Sequence, residues 1–254
     1  LEKYLLFVIF FPQIIAGPIV KYNFMVPQFD FKNKKIFNYL NIGLATFVVG
    51  LGKKVLIADN LALYVDPYFK FIEMGYSITF YEAWFGSVLY AFQLYFDFSG
   101  YTDMALGLAL MFGIILPINF FSPFKSKNIS EFWSCWHITL SNLVRNYIYY
   151  PLSLSLNRIC ASYNLNSFFS FILGISIPTI IAFFCIGFWH GAGWNFIIFG
   201  LINAFYLIVY NFWTLLKSYL NISYKDNIFT SIASQLLTFL SIVVALVFFR
   251  SSDF

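Results

Sequence analysis

The chain has 254 residues, of which 61% are hydrophobic and only 10% are charged. A soluble domain carries about 25% charged residues to keep its surface wetted, so the composition excludes an ordinary water-soluble fold. The surplus apolar surface has to face lipid, which predicts an integral membrane protein in contact with the lipid bilayer. The net charge of +4 is spread along the chain, so no nucleic-acid groove is predicted.

Apolar runs follow one another through most of the chain, and a bilayer core needs about 20 apolar residues per helix. We identify six or seven candidate spans, at residues 4–20, 39–65, 78–96 continuing into 101–121, 168–189, 194–216 and 228–249. The predicted fold class is therefore all-α, a polytopic transmembrane helical bundle. We expect one membrane-embedded domain over residues 1–254, truncated at both ends of a longer protein, and no signal peptide.

Two further expectations come from charges and cysteines. Lys21, Lys32, Lys34 and Lys35 lie in one loop, and positive loops favour the cytoplasmic side of the membrane. The three cysteines are far apart and lie in or beside apolar segments, so we interpret them as small buried hydrophobic residues. No disulfide and no metal site are predicted.

Residues 128–150 differ from the apolar runs. Asn128 and Glu131 have the spacing of a helix N-cap, and we expect Pro151 to end the helix. Inside it, polar side chains recur every three or four residues, which predicts one amphipathic helix with a polar stripe. The stripe consists of Ser134, His137, Ser141 and Arg145. The helix would lie at the membrane surface or line a water-filled cavity.

The second histidine, His190, stands in the segment Trp189-His190-Gly191-Ala192-Gly193-Trp194-Asn195, between two apolar runs. One interpretation is an interfacial turn with a solvated histidine. The other is a general base, because an imidazole takes up a proton near neutral pH. The neighbouring glycines would then bring backbone amides close to a developing oxyanion. His137 is likewise either a satisfied interfacial histidine or a second polar group facing the same cavity.

Four charged residues interrupt the apolar runs, where charge is costly. Asp97 and Asp103 could form a cation site, but a third ligand is missing, so helix caps or groups supporting the site are the better interpretation. Lys53 and Lys54 are interpreted as lysines whose stems lie along apolar surface while the ammonium groups reach water.

Several segments in chain order resemble the membrane-bound O-acyltransferase family, in the branch of bacterial alginate and peptidoglycan O-acetyltransferase membrane subunits. They are residues 11–19 followed by 27–29, then 53–61, 95–105, 107–113, 129–141 with His137, 188–191 with the sequence Phe188-Trp189-His190-Gly191, and 248–250. The chain departs from the family pattern at Ser134 and Cys135, where two arginines are usual, and at Asn146, Ser153 and Leu154.

The resemblance implies an O-acetyltransferase of a bacterial cytoplasmic (inner) membrane with a tunnel through its bundle. It implies His190 as the catalytic histidine and His137 as the other recurrent one. No bound cofactor is expected; the donor would be an acetyl thioester, from acetyl-CoA or an acyl carrier. A periplasmic or extracellular acetyltransferase would act as partner, and a cell-envelope polysaccharide as acceptor. Substrate-binding candidates are Ser141, Arg145, Asp97, Asp103, Asn195 and Trp189.

Two other functions fit the same sequence. A transporter moving an acyl carrier or glycan would also use broken helices and buried charges, and its activity would survive loss of either histidine. A non-catalytic membrane scaffold for a soluble acetyltransferase would function without both histidines.

Overall fold

The computed structural model describes residues 1–14, 17–30, 37–222 and 227–251, and within these ranges the regular structure is helical with no β-strand. Four helices in these ranges are long and apolar enough to cross a membrane: Tyr39–Glu73, Ser167–His190, Trp194–Tyr219 and Ile228–Arg250. The prediction of an all-α, multi-pass membrane protein is therefore confirmed. The chain divides into two compact units, Leu1–Phe121 and Ser122–Phe254.

The first unit contains five α-helices. They are α1 (Glu2–Ile9), α2 (Tyr22–Met25), α3 (Phe37–Gly52), α4 (Asp59–Glu73) and α5 (Phe80–Met111). A π-helical segment, Lys53–Ala58, joins α3 to α4 without a break. Lys32, Lys34 and Lys35, which supported the prediction of a cytoplasmic loop, lie outside the described residues.

Two of the predicted spans in this unit need correction. The first apolar run is not one spanning helix, because α1 has only eight residues and Pro12, which lacks an N–H, stands in the short 3-10 turn Phe11–Gln13 that follows. The runs 78–96 and 101–121 meet in one 32-residue helix, α5, which ends at Met111, so Asp97 and Asp103 lie inside a helix and are not helix caps. Thr79 and Glu82 form a capping box that fixes the start of α5.

Helices α3 and α5 approach each other closely at glycines. A Cβ on Gly50 would lie 2.6 Å from the Gly100 carbonyl oxygen, and one on Gly107 would lie 2.6 Å from the Gly43 carbonyl oxygen. Small residues at matching positions let two membrane helices bring their backbones together.

The charges inside this unit pair with one another. The Lys53 ammonium lies 2.5 Å from the Asp103 carboxylate, and Lys54 lies 2.6 Å from Asp97 and 2.7 Å from Asp59. Each of the two lysines ends on a carboxylate, a partner that their interpretation as lysines reaching for water did not include. Pairing lowers the cost of placing charge among apolar helices.

The second unit contains seven α-helices. They are α6 (Ile129–Cys135), α7 (Ile138–Val144), α8 (Tyr150–Ser162), α9 (Ser167–Phe171), α10 (Ile177–His190), α11 (Trp194–Tyr219) and α12 (Ile228–Arg250). Two π-helical segments, Arg145–Tyr149 and Ile172–Ser176, join α7 to α8 and α9 to α10. All three cysteines of the chain are free thiols.

Helices α10 and α11 form a tight hairpin, in which glycines without side chains let the two backbones pack closely together. A Cβ on Gly187 would lie 2.4 Å from the Phe196 carbonyl oxygen, and one on Gly200 would lie 2.3 Å from the Phe183 carbonyl oxygen. His190 ends α10, so this hairpin fixes the backbone from which its imidazole projects.

Candidate active site

The segment around His137 is two helices and not the single amphipathic helix predicted. Trp136 is extended at φ −104°, and His137 has the left-handed φ of 42°, which ends α6 and starts α7. A histidine tolerates this conformation better than a β-branched residue does. His137 therefore leaves the predicted stripe and becomes the N-cap residue of α7, with only 4% of its surface exposed.

The prediction that Pro151 ends the helix is also wrong. The chain passes from α7 through the π-helical segment Arg145–Tyr149 into α8, where Pro151 stands in the first turn. A π-helical turn shifts the hydrogen-bond register, and the missing N–H of a proline costs least in a first turn. Arg145 and Tyr149, the first and last residues of this segment, both face a cavity.

This cavity, within the second unit, has a volume of about 310 Å³. Its polar lining comes from Ser130, Ser134, Ser141, Arg145, Tyr149, Tyr150, Thr179 and Asn211, and its apolar lining from Trp133, Val144, Ala182, Phe183, Ile186 and Leu207. Ser134, Ser141 and Arg145 of the predicted stripe thus face one cavity, even though His137 does not line it.

Arg145 gives the cavity a positive charge. In the described part of the chain, the residues that line the cavity include no Asp or Glu. Arg145 also forms no ion pair with any carboxylate of the described residues. A half-buried guanidinium without a carboxylate partner favours an anionic ligand, which it can bind through two parallel hydrogen bonds.

His190 lies in an aromatic cup formed by Phe196, Phe199 and Phe249. The ring centres of these residues are 6.3, 6.2 and 5.0 Å from that of the imidazole, and Phe249 meets it nearly edge-on at 88°. The cup is closed by contacts of Phe249 with Phe196 at 5.1 Å and with Phe199 at 5.0 Å. His190 itself is half-buried, at the end of α10 and directly before the turn that leads into α11.

Trp189 brings the two histidines into one cluster. Its ring lies 6.0 Å from that of His137 and 4.9 Å from that of His190, edge-on to both, and 57% of its surface is exposed. The two histidines, 53 positions apart in the chain, thus contact the same indole. Neither histidine is among the residues that line the cavity, so the hypothesis that His137 faces the same cavity as His190 and the catalytic roles of both stay predictions.

Helix α10 connects this cluster to the cavity. Thr179, Phe183 and Ile186 line the cavity at helical spacing along one face of α10. His190 follows Ile186 by four residues on the same face, about 6 Å further along the axis. The lining residues end one turn short of the imidazole, which lies in the aromatic cup beyond them.

The other predicted substrate-binding residues have partners within the protein. Asp97 and Asp103 belong to the first unit and pair with lysines. The Asn195 side-chain amide donates to the Ser251 carbonyl oxygen at 3.0 Å. The Gly191 amide, an expected oxyanion donor, donates instead to the Phe188 carbonyl oxygen at 3.2 Å.

Several residues of the cavity were missed in the sequence. Thr179 and Asn211 are isolated polar residues within apolar runs, and such residues in a membrane span mark functional positions; this signal could have found both. Tyr149 follows Arg145 by four residues, so extending the predicted stripe by one turn could have found it as well.

Burial sets the ionisation of His137, which lies outside the four candidate spans. Removal from solvent, together with the nearby His190, lowers its pKa from 6.5 to about 4. His137 is therefore uncharged at neutral pH and can act as a hydrogen-bond donor or acceptor but not as a cation.

This pKa predicts a pH dependence of stability. Between pH 6.5 and about 4 the unfolded state binds the proton and the folded state does not, so His137 costs stability as pH falls through this window. At pH 5 the cost is about 2 kcal/mol. We expect thermal stability in detergent to fall less between pH 7 and pH 5 for His137→Asn than for the wild-type protein. Asparagine is chosen because it tolerates the positive φ of this position. If the variant and the wild type lost the same thermal stability, His137 would not be both buried and uncharged in the folded protein.

The fold and the site define a multi-pass membrane protein with a paired-histidine cluster beside a polar cavity. Residues 1–249 match the model of the family described as MBOAT, membrane-bound O-acyltransferase family. The chain belongs to this family, which confirms the resemblance found in its motifs.

Three curated relatives illustrate the relationship. The chain is 46% identical to the peptidoglycan O-acetyltransferase of Helicobacter pylori over 254 residues, covering 98% of the chain and 44% of the relative. It is 34% identical over 247 residues to the probable alginate O-acetylase of Pseudomonas aeruginosa, covering 97% and 42%. It is 32% identical over 225 residues to the teichoic acid D-alanyltransferase of Bacillus subtilis, covering 84% and 52%. The chain spans about half the length, or less, of these relatives.

Proposed function

We propose that the protein moves an acetyl group from a thioester donor toward hydroxyl groups of a cell-envelope polysaccharide. The observation that carries this proposal is His190 in its aromatic cup, one helical turn beyond a polar cavity with an arginine. Peptidoglycan is the first acceptor to test, because the identity of 46% to a peptidoglycan O-acetyltransferase exceeds that of 34% to an alginate O-acetylase.

In the proposed reaction His190 is the general base. It takes the proton of an incoming hydroxyl while the hydroxyl oxygen attacks the thioester carbonyl carbon, and the C–S bond then breaks. The imidazolium returns its proton to the departing thiolate, which leaves the base ready for another cycle. His137 contributes from the other side of Trp189, as an uncharged group that keeps the cluster polar.

The cavity is proposed to hold the donor. Arg145 would bind an anionic group of an acetyl thioester, such as acetyl-CoA or an acyl carrier, and Ser141 would donate a hydrogen bond. The apolar side of the cavity, with Phe183 and Ile186, would direct the acetyl group along α10 toward His190.

We further propose that the protein lies in a bacterial cytoplasmic membrane and works with a periplasmic or extracellular acetyltransferase that places the acetyl group on the glycan. The four apolar helices support the multi-pass placement, and the names of the relatives, a peptidoglycan O-acetyltransferase and probable alginate O-acetylases, support an envelope acceptor.

The proposal is tested by measuring acetate released by mild base from purified peptidoglycan. We expect deletion of the gene to remove this acetate, the wild-type gene to restore it, and a gene carrying His137→Asn and His190→Ala together to fail. A transporter would survive loss of either histidine, and a scaffold would still support acetylation without both. Normal acetate with the double variant would therefore refute catalysis by this chain.

A further inference from the structure

The end of α12 contacts His190, although the two are far apart in the chain. Phe249 presses its ring edge-on against the imidazole at 5.0 Å. Two residues later the Ser251 carbonyl accepts a hydrogen bond of 3.0 Å from the Asn195 amide, across 56 positions. Asn195 belongs to the first turn of α11, directly after the turn that follows His190.

His190 depends on contacts of this kind, because its own helix gives it little support on one side. Helix α10 ends at His190, and Gly191 is extended. The backbone beyond the imidazole is therefore held by packing. A Cβ on Gly191 would lie 2.6 Å from the Phe196 ring, and one on Gly193 would lie 2.2 Å from the Asn195 side-chain oxygen. The side-chain oxygen of Asn195 thus packs against the turn at Gly193, while its side-chain nitrogen donates to Ser251 at the end of α12.

We infer that Asn195 and Phe249 are positioning residues for His190, an inference that rests on the proposed function. Asn195 fixes the end of α12 to the turn after His190, and this hydrogen bond sets where Phe249 stands. Phe249 in turn limits rotation of the imidazole, so its nitrogen keeps one direction toward the incoming hydroxyl. Rates of such transfers fall steeply with small misplacements of the reacting groups.

Asn195 is therefore assigned a positioning role instead of the predicted substrate-binding role. The sequence marked it as a substrate-binding candidate, whereas its side-chain donor is engaged by Ser251 and its oxygen packs on Gly193. It acts on the reaction through His190 and not through contact with the substrate.

The test compares matched variants of the protein as the cell makes it. Asn195→Asp keeps the shape of the side chain but removes the donor to Ser251. Phe249→Leu keeps apolar volume but removes the ring edge, and Phe249→Tyr keeps the ring. Asn60→Asp is the control for the amide, since Asn60 donates to the Leu56 carbonyl at 3.0 Å within one helix. Phe229→Leu is the control on α12, where Phe229 is 79% exposed.

We expect base-labile acetate on peptidoglycan, per amount of folded protein in the membrane, to fall on the order of 10- to 100-fold for Asn195→Asp and Phe249→Leu. Phe249→Tyr and both controls should keep the wild-type level. The inference is overturned if Asn195→Asp and Phe249→Leu acetylate normally while His190→Ala is inactive. It is equally overturned if Phe249→Tyr loses activity too, or if acetate falls only in proportion to folded protein. Normal acetylation by His190→Ala would instead overturn the proposed function.

Discussion

Replacing His190 with alanine is expected to abolish acetylation of the acceptor glycan while the protein still inserts in the membrane. The variant removes the imidazole but leaves the cup of Phe196, Phe199 and Phe249 and the glycine-packed hairpin in place. General bases contribute about 100- to 10,000-fold to a rate. We therefore expect base-labile acetate in cells to fall at least about 100-fold.

Phe188→Ala is the matched control for this variant. Phe188 is two residues before His190 on the same helix, 60% exposed, and its ring stacks on Phe184 at 6.4 Å. It should therefore keep most of the activity. Equal acetate in cells carrying His190→Ala and in wild-type cells would end the assignment of His190 as the base.

The second large effect is expected at the α10–α11 hairpin. Gly187→Ala places a Cβ 2.4 Å from the Phe196 carbonyl oxygen, and a backbone atom cannot move aside as a flexible side chain can. Overpacking of this kind typically costs about 1–3 kcal/mol. The two helices must separate, which also widens the aromatic cup, so we expect lower thermal stability in detergent together with lower activity.

Gly52→Ala serves as the control because it makes the same substitution in a helix with nothing within 4 Å of the new Cβ. Alanine is favoured over glycine in a helix by about 0.5–1 kcal/mol, so this variant should be as stable as wild type or more stable. If Gly187→Ala matched Gly52→Ala, the close approach of α10 and α11 would be refuted.

Hydropathy was sufficient to predict the spans from residue 168 onward, because each run there is apolar throughout and folds as one long helix. It was insufficient near Pro12, where a run of adequate length is broken by a residue without an N–H. It also interrupted α5 at the charged residues 97 and 103, which lie inside the helix and pair with Lys54 and Lys53. Such pairs join residues 43 and 50 positions apart, which local patterns do not reveal.

In the candidate site too, local sequence patterns identified some residues, and the others required the three-dimensional fold. The Trp-His-Gly segment identified His190, and the polar spacing identified Ser141 and Arg145, which do share a cavity. The left-handed residue at His137 was missed, because helical periodicity continues across it in the sequence. The contacts of Phe249 and of Ser251 with the turn after His190 required the fold, since they bring α12 to a site more than 50 residues earlier.

The most direct measurement uses purified protein, acetyl-CoA labelled in the acetyl group, and unacetylated peptidoglycan fragments. It follows label transferred to the glycan in the presence of the proposed partner acetyltransferase. We expect transfer by the wild-type protein and a rate lower by at least about 100-fold with His190→Ala. Transfer at the wild-type rate by His190→Ala would contradict the claim that this imidazole, in its aromatic cup, performs the chemistry.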